Sequence, residues 1–337
     1  MPDLNKSSFT EALYAKADRY FGTLSSGKYA TGIFYIKSVF LILAYISAYV
    51  YFIFFTHSFA EMLLLVCVLG ICHVFIPVNI SHDAIHESIS SGKWINVLGL
   101  YGFEITGSNS YIYSKKHLEA HYNKENGSKT IAIESQGLIM QKSSVDHKVN
   151  LPVIFYLFYA QYMIFLRDFV LYFQSPKNIP TKEFVKLFLC KAIYCIAFIV
   201  LPFVYINMPW WQIAVSLLFM YFIVTVVLVI ILLMPTEKIE STRINNNNSH
   251  NEKWVMEILK HNVDFSPKNV FLNRIVGGAN LNVVHYLFPS VNHIHYNKLA
   301  AFIEETANEY DLRYRKQEVK DVFGIHFNYM KNIQSSN

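Results

Sequence analysis

The sequence predicts an all-α membrane protein, with four transmembrane helices and a cytoplasmic helical cap holding a histidine-rich metal site. Three observations predict it. The composition is too apolar for a soluble domain of 337 residues, with 53% hydrophobic and only 16% charged residues. Four stretches reach or approach the roughly 20 apolar residues that cross a bilayer. Histidines recur at helical spacing beside those stretches, as His82 and His86 in SHDAIHES and as His117 and His121 in KKHLEAHYN.

Taken in order, residues 1–35 read as a polar, partly helical arm. The first apolar run begins only near residue 36, so no signal peptide is expected, and the arm is too short for a fused haem domain. The first hairpin comprises spans 36–55 and 61–80 and runs straight into the first histidine pair. Residues 94–107 (WINVLGLYGFEITG) are too short to span and suit a re-entrant or interfacial helix beneath the site. Glu104 sits within that apolar stretch, where an unpaired charge is costly. Residues 124–150 are polar and loop-rich. Residues 151–173 are long enough to span but contain Arg167 and Asp168. A crossing there would separate the histidine sites, so the segment is expected to lie in the interface. The third span, 187–206, begins near Lys186 and Lys191, which can snorkel to headgroups. The fourth, 210–234, opens on the interfacial pair Trp210 and Trp211. An Asn-rich loop at 245–248 leads to a polar C-terminal part, 254–337.

Charge sets the expected orientation. The connections 56–60 and 206–211 contain no Lys or Arg, whereas the termini and the middle region are rich in both. Both termini and all the histidine sites are therefore expected on the cytoplasmic side. Basic residues beside anionic lipid account for the net charge of +5, so no nucleic-acid partner is implied. Cys67, Cys72, Cys190 and Cys195 all lie in apolar spans and read as reduced packing residues.

An i, i+4 pair lies on one helix face, so each histidine pair aims two imidazoles at one point. The neutral ring offers a lone pair near pH 7, which makes histidine the commonest metal ligand. Other histidines read more plainly. His57 and His73 suit packing or interfacial roles, and His147, His250, His261 and His326 suit solvated stretches. Asp83 and Glu87 adjoin the first pair, where either a hydrogen bond to a ligating ring or simple capping is expected.

Together these motifs resemble the membrane fatty acid desaturases, especially their acyl-CoA and front-end branch, over roughly residues 36–305. HDAIH (82–86) is similar to the first histidine box of that family, and GSNSYIYSKKHLEAH (107–121) to the second box and its approach. WVMEILKHNVDFSPKN (254–269) and GGANLNVVHYLFPSVNHIHY (277–296) resemble the third box and its lead-in. The resemblance implies that His285 joins the other four histidines as a metal ligand, and that His293 and His295 support the centre. It also implies an O2-dependent iron oxidase acting on a fatty acyl chain linked to CoA, carrier protein or lipid. Desaturation is the expected outcome and hydroxylation the nearest alternative. Electrons are expected from a separate donor such as ferredoxin or cytochrome b5, since no flavin, haem or iron–sulfur motif is visible. The domain layout becomes an arm (1–35), a desaturase-like membrane domain (36–305) and a C-terminal tail (306–337).

The sequence departs from that family where two adjacent histidines usually stand. Here the pairs read His121-Tyr122 and His285-Tyr286, Asn282 replaces a common Gln or His, and Glu257 stands near a usual histidine. Three readings follow. Tyr122, Tyr286 and Glu257 supply oxygen donors to a mixed two-iron site; or one iron position remains; or the centre is vestigial in a lipid-binding relative.

Overall fold

The computed structural model describes residues 8–122, 158–174, 179–233, 252–321 and 324. Helix α1 (Phe9–Gly22) begins at a capping box in which Ser8 Oγ accepts from the Glu11 amide and the Glu11 carboxylate accepts from the Ser8 amide. Helices α2 (Gly32–Phe54) and α3 (Phe59–Ile76) form the first hairpin, and Ser58 and Glu61 repeat the same capping box at its turn. A π-turn at Pro77–Ser81 carries α3 into the helical turn α4 (His82–Ile85). Next come α5 (Lys93–Ile105) and α6 (Ser110–Tyr122), then α7 (Arg167–Gln174) behind a second π-turn. Helix α8 (Thr181–Cys195) continues through a third π-turn into α9 (Leu201–Tyr205), and α10 (Trp210–Leu233) returns beside it. The cap is completed by α11 (Glu252–His261), β1 (Asp264–Phe265), α12 (Val270–Ile275), α13 (Asn282–Leu287), α14 (Tyr296–Glu309) and β2 (Lys316–Gln317). Strands β1 and β2 pair in parallel, with Asp264 opposite Lys316.

Among the described residues, four helical rods are long and apolar enough to cross a membrane: Gly32–Phe54, Phe59–Ile85, Thr181–Tyr205 and Trp210–Ile231. This is an integral membrane protein. The rods start or end a few residues from the expected bounds, because helix geometry continues past the apolar stretch into polar residues. The third rod begins at Thr181 rather than 187, and the second runs through Pro77 to Ile85 rather than stopping at 80. At 1.5 Å per residue the 27-residue second rod is about 40 Å long, against about 30 Å of hydrocarbon. It therefore carries His82 beyond the apolar layer.

Helix α3 is the central rod, packed between α2 and α10, while Ile36, Phe40, Leu43 and Phe54 of α2 face outward. All the histidine segments sit at one end of the bundle. There Lys37 near the start of α2 meets Asn79 in the first π-turn, and Lys186 near the start of α8 meets Glu104 of α5. At the other end Phe54 packs on Tyr205 and Phe59 on Trp211.

The N-terminal helix belongs to the cap. Phe9, Leu13 and Ala17 are buried with Leu299, Ile303 and Ala307 of α14, and the Tyr14 hydroxyl donates to the Leu287 carbonyl at 2.8 Å. The boundary at 305/306 falls inside α14, and the following chain is tied down through β2 and through Ser266 Oγ, which donates to Glu318 at 2.8 Å. Of the expected interfacial segment 151–173, residues 151–157 lie outside the described chain. Arg167 and Asp168 are buried within protein, with Lys191 of α8 2.8 Å from Asp168. Of the expected loops, 124–150 and 245–248 lie outside the described residues, as do His147, His250 and His326.

The cap seats on the bundle through glycine. Gly277 (φ +61°) lies so close to the Val78 carbonyl that a Cβ would collide with backbone, and Gly278 (φ +80°) lies against His293 and Tyr296. Gly277→Ala is therefore expected to cost at least about 2 kcal/mol, seen as a lower thermal midpoint in detergent. Gly22→Ala, with nothing within 4 Å of the new methyl, should leave that midpoint unchanged or raise it slightly.

Candidate metal centre

The first histidine pair is placed by a break in α3. Pro77 has no amide hydrogen, so the α-helical ladder cannot run unbroken through it, and the chain widens into the π-turn Pro77–Ser81. The Asn79 side chain donates to the Phe75 carbonyl and, across to the cap, to the Ile275 carbonyl. Helix α5 presses closely on this turn at Gly102, where Ser81 Oγ fills the space that a Cβ would take. Beyond it His82 and His86 sit on one side of α4, with ring centroids 5.2 Å apart.

The second pair is on α6, whose first turn is held on every side. Asn109 Oδ1 accepts from the Ile112 amide, and the Asn109 amide donates to Asp168 at 2.8 Å. Ser110 Oγ donates to Glu104 at 2.5 Å, and Lys186 lies 2.8 Å from the same Glu104 oxygen. One turn on, Tyr113 stacks on His117 at 5.9 Å with ring planes 14° apart, and the Arg167 guanidinium lies over the Tyr113 ring, 5.3 Å from its centroid. His117 and His121 then have centroids 4.7 Å apart.

The third site is on α13, where no residue of the helix itself supplies a side-chain cap. Asp264 does so from β1, accepting from the Val283 amide at 2.6 Å while Tyr314 donates to its other oxygen at 2.5 Å. His285 Nδ1 lies 3.0 Å from the hydroxyl of the fully buried Tyr296.

These three segments converge. The donor nitrogens of His82, His86, His117 and His285 all lie within 4.8 Å of one another. His121 joins them, its Nε2 2.9 Å from that of His285 and 3.2 Å from that of His117, while His86 and His117 Nε2 are 2.9 Å apart. When His285 Nδ1–H donates to Tyr296, its Nε2 keeps a bare lone pair aimed at the cluster. Burial and the neighbouring imidazoles push His86, His117 and His285 well below the usual histidine range, which keeps the rings in the neutral, ligating form. A set of inward lone pairs at such distances fits a metal ion with nitrogen preference, iron among them.

The remaining predicted residues surround or flank this cluster. The Tyr286 ring lies 4.9 Å from that of His121, and burial pushes its phenol up. The Tyr122 side chain lies outside the described residues. Glu257 Oε2 is 3.1 Å from His261 Nε2, one turn along α11. Asn282 Nδ2 donates to Asn262 at 2.8 Å, and Asp83 accepts from His293 and Asn292. His295 Nδ1 is 3.1 Å from the Tyr20 hydroxyl. His73 packs inside the bundle between the Leu69 carbonyl and the Tyr194 hydroxyl, and exposed His57 presents its amide to Glu61.

Sequence reasoning missed Tyr113, Tyr296, Asp264 and Lys37. Tyr113 was findable, because Tyr-x-x-x-His-x-x-x-His places it one turn before His117 on the same face. The other three act on partners remote in sequence and leave no local signal.

Comparison with known proteins shows which family the chain belongs to. Residues 58–318 match the family Fatty acid desaturase. The chain belongs to that family. It is 26% identical to an sn-1 linoleoyl-lipid 6-desaturase from Arthrospira platensis, over 83% of this chain and 80% of that protein. It is 25% identical to an sn-1 linoleoyl-lipid 6-desaturase from Synechocystis sp., over 92% of this chain and 90% of that protein. An acyl-lipid (8-3)-desaturase from Physcomitrium patens is 24% identical over 83% of this chain and 62% of its own length. The five clustered histidines lie within or beside the three segments whose sequences resemble the histidine boxes of that family.

Burial raises the Asp264 carboxyl from 3.8 to about 7, against the hydrogen bonds from Tyr314 and Val283. A carboxyl with a raised folded-state pKa contributes stability that is fully present below the unfolded pKa and is lost as pH rises through the folded one. The window is thus roughly pH 4 to 7. Over it, the thermal midpoint of the parent should fall relative to that of Asp264→Asn, which cannot ionise, by an amount equivalent to a few kcal/mol at most. Parallel unfolding scans of the two proteins across that range measure the difference.

Proposed function

We propose that this protein is an O2-dependent, iron-requiring desaturase of fatty acyl chains. The observation that carries the proposal is the meeting at one point of five imidazoles from three separate segments, with His86, His121 and His285 buried and His82 and His117 half-buried, in a chain of the desaturase family. His82, His86, His117, His121 and His285 are the iron ligands in this reading. Five imidazoles exceed the needs of one four-coordinate ion and are few for two, so oxygen donors complete a two-iron site. Tyr286, against His121, is the best-placed described candidate, with Tyr122 and Glu257 the other two.

Bound iron would supply the oxidising power for the net change in which adjacent methylenes lose two hydrogens and O2, taking up two electrons from a carrier and two protons as well, becomes two waters. The chain's own contribution is positional. Tyr296 fixes the proton of His285 on Nδ1, so that Nε2 faces the centre, and Tyr113 holds the plane of His117 by stacking. The histidine cluster lies at one end of the apolar rods, which supports an acyl chain reaching it from the bilayer. The relatives named for acyl-lipid and linoleoyl-lipid desaturation favour a lipid-linked acyl substrate. The two short connections without Lys or Arg favour a cytoplasmic cap, which suits a soluble or membrane-anchored electron donor such as ferredoxin or cytochrome b5.

Expression in a desaturase-deficient host with fatty acid profiling should yield a new unsaturated acid, whereas a hydroxy acid would move the assignment to hydroxylation. Protein purified without oxygen should carry close to two irons per chain. His121→Ala should halve that content or worse and lower product formation at least about 100-fold, more than the loss typical of a residue that only supports a ligand. Absence of specifically bound iron in the parent would leave a lipid-binding relative. Thiol labelling of intact cells should reach Ser58→Cys and Met208→Cys but not Lys298→Cys.

A further inference from the structure

Beside the centre lies a second buried polar cluster whose members ligate nothing. Asp83 follows His82 on α4, and consecutive helical side chains diverge by about 100°, so Asp83 leaves the face that His82 and His86 share. Its Oδ2 accepts from His293 Nδ1 and from Asn292 Nδ2, both at 2.7 Å. The other nitrogen of His293 is 2.7 Å from Lys37 Nζ, near the start of the first spanning helix. Lys37 also donates to Asn79 Oδ1 and to the Arg274 carbonyl, each at 2.8 Å.

The hydrogen count closes. A lysine ammonium has three N–H bonds, and these are met by Asn79, Arg274 and His293. Because His293 Nε2 accepts from Lys37, its proton resides on Nδ1 and is donated to Asp83. A positive charge from α2 thus reaches the negative charge on α4 through one neutral ring. Asp83, His293, Asn292 and Asn79 are each at most 1% exposed.

This arrangement has a task. Helix α4 is four residues long and follows a π-turn, so its rotation is not inherited from α3 by continuous α-helical geometry. Something outside the helix must fix which way His82 and His86 face. We propose that Lys37, His293 and Asp83 form a positioning relay that sets the rotation of α4 and so ties the first spanning helix to the geometry of the metal centre. The inference rests on the metal-binding role proposed above for His82 and His86. It adds three residues, from segments up to 256 positions apart, to those that position the centre.

The test uses Co(II) alone as the probe, bound to metal-free protein, with its visible absorption bands reporting ligand geometry. Thermal midpoints of the metal-free proteins are measured in parallel. Lys37→Met and Asp83→Ala should each shift the bands and weaken Co(II) binding about tenfold or more, in the range seen when a ligand's supporting partner is removed. Asp83→Asn keeps the shape and an acceptor oxygen, and should recover the bands and most of the affinity. The Lys37→Met, Asp83→Ala double variant should bind no more weakly than the worse single variant, because both break one relay. His293→Phe, similar in size, keeps the test open if Lys37→Met does not fold. Bands and affinities equal to the parent's in the folded variants overturn the relay, even where thermal midpoints fall. A parent protein that binds neither Co(II) nor iron overturns the metal reading itself, a result distinct from parent binding with indifferent variants.

Discussion

Five imidazole nitrogens approach one point inside the cap. Burial pushes His86, His117 and His285 well below the usual histidine range, so these rings stay neutral and bare lone pairs that face one another repel. A cation at the focus would make the arrangement favourable, and the protein holds the rings there by other means. Much of the structure follows from that requirement, including the break in α3, the stacked Tyr113, the buried Tyr296 and the foreign cap on α13.

Most of the holding is done at the membrane edge, by charges that the spanning helices carry inward. Lys186 of α8 meets Glu104, which also receives Ser110 at the start of α6. Lys191 of the same helix meets Asp168, which also receives the Asn109 amide, and it donates to the Gly107 and Ile164 carbonyls. Buried pairs of this kind add little net stability over apolar packing, yet removing one partner costs about 3–5 kcal/mol. Their value lies in permitting a single arrangement. Each pair fixes a histidine-bearing segment to a rod whose own position is set by lipid and by the α3 contacts.

Tyr286 follows His285 and packs on the His121 ring, so it forms part of the wall of the histidine cluster. Burial pushes its phenol up, which favours the protonated form until a metal ion lies against it. In the two-iron site proposed above, a Tyr286 oxygen donor would change the electronic character of the centre more than its shape.

The spans and the two histidine pairs were legible in the sequence because both are local. Apolar length is a property of one contiguous stretch, and the i, i+4 spacing brings two rings together whatever the rest of the chain does. The adjustments to the rods were not read from the sequence: Pro77 forbids an unbroken α-helical ladder, and the helix widens there rather than stopping, with Asn79 donating to the Ile275 carbonyl across the interface. The family resemblance pointed His285 toward the other four histidines, and the fold brings it to His121, 164 residues away, whereas the tertiary structure alone decided that Asp264 caps a helix it does not belong to and that Lys37 reaches Asp83 through His293. Such contacts are chosen by how rods and cap pack, because a buried polar atom takes whichever partner the fold brings within reach. The sequence by itself determined which chemistry was available, and packing determined which of those groups face one another.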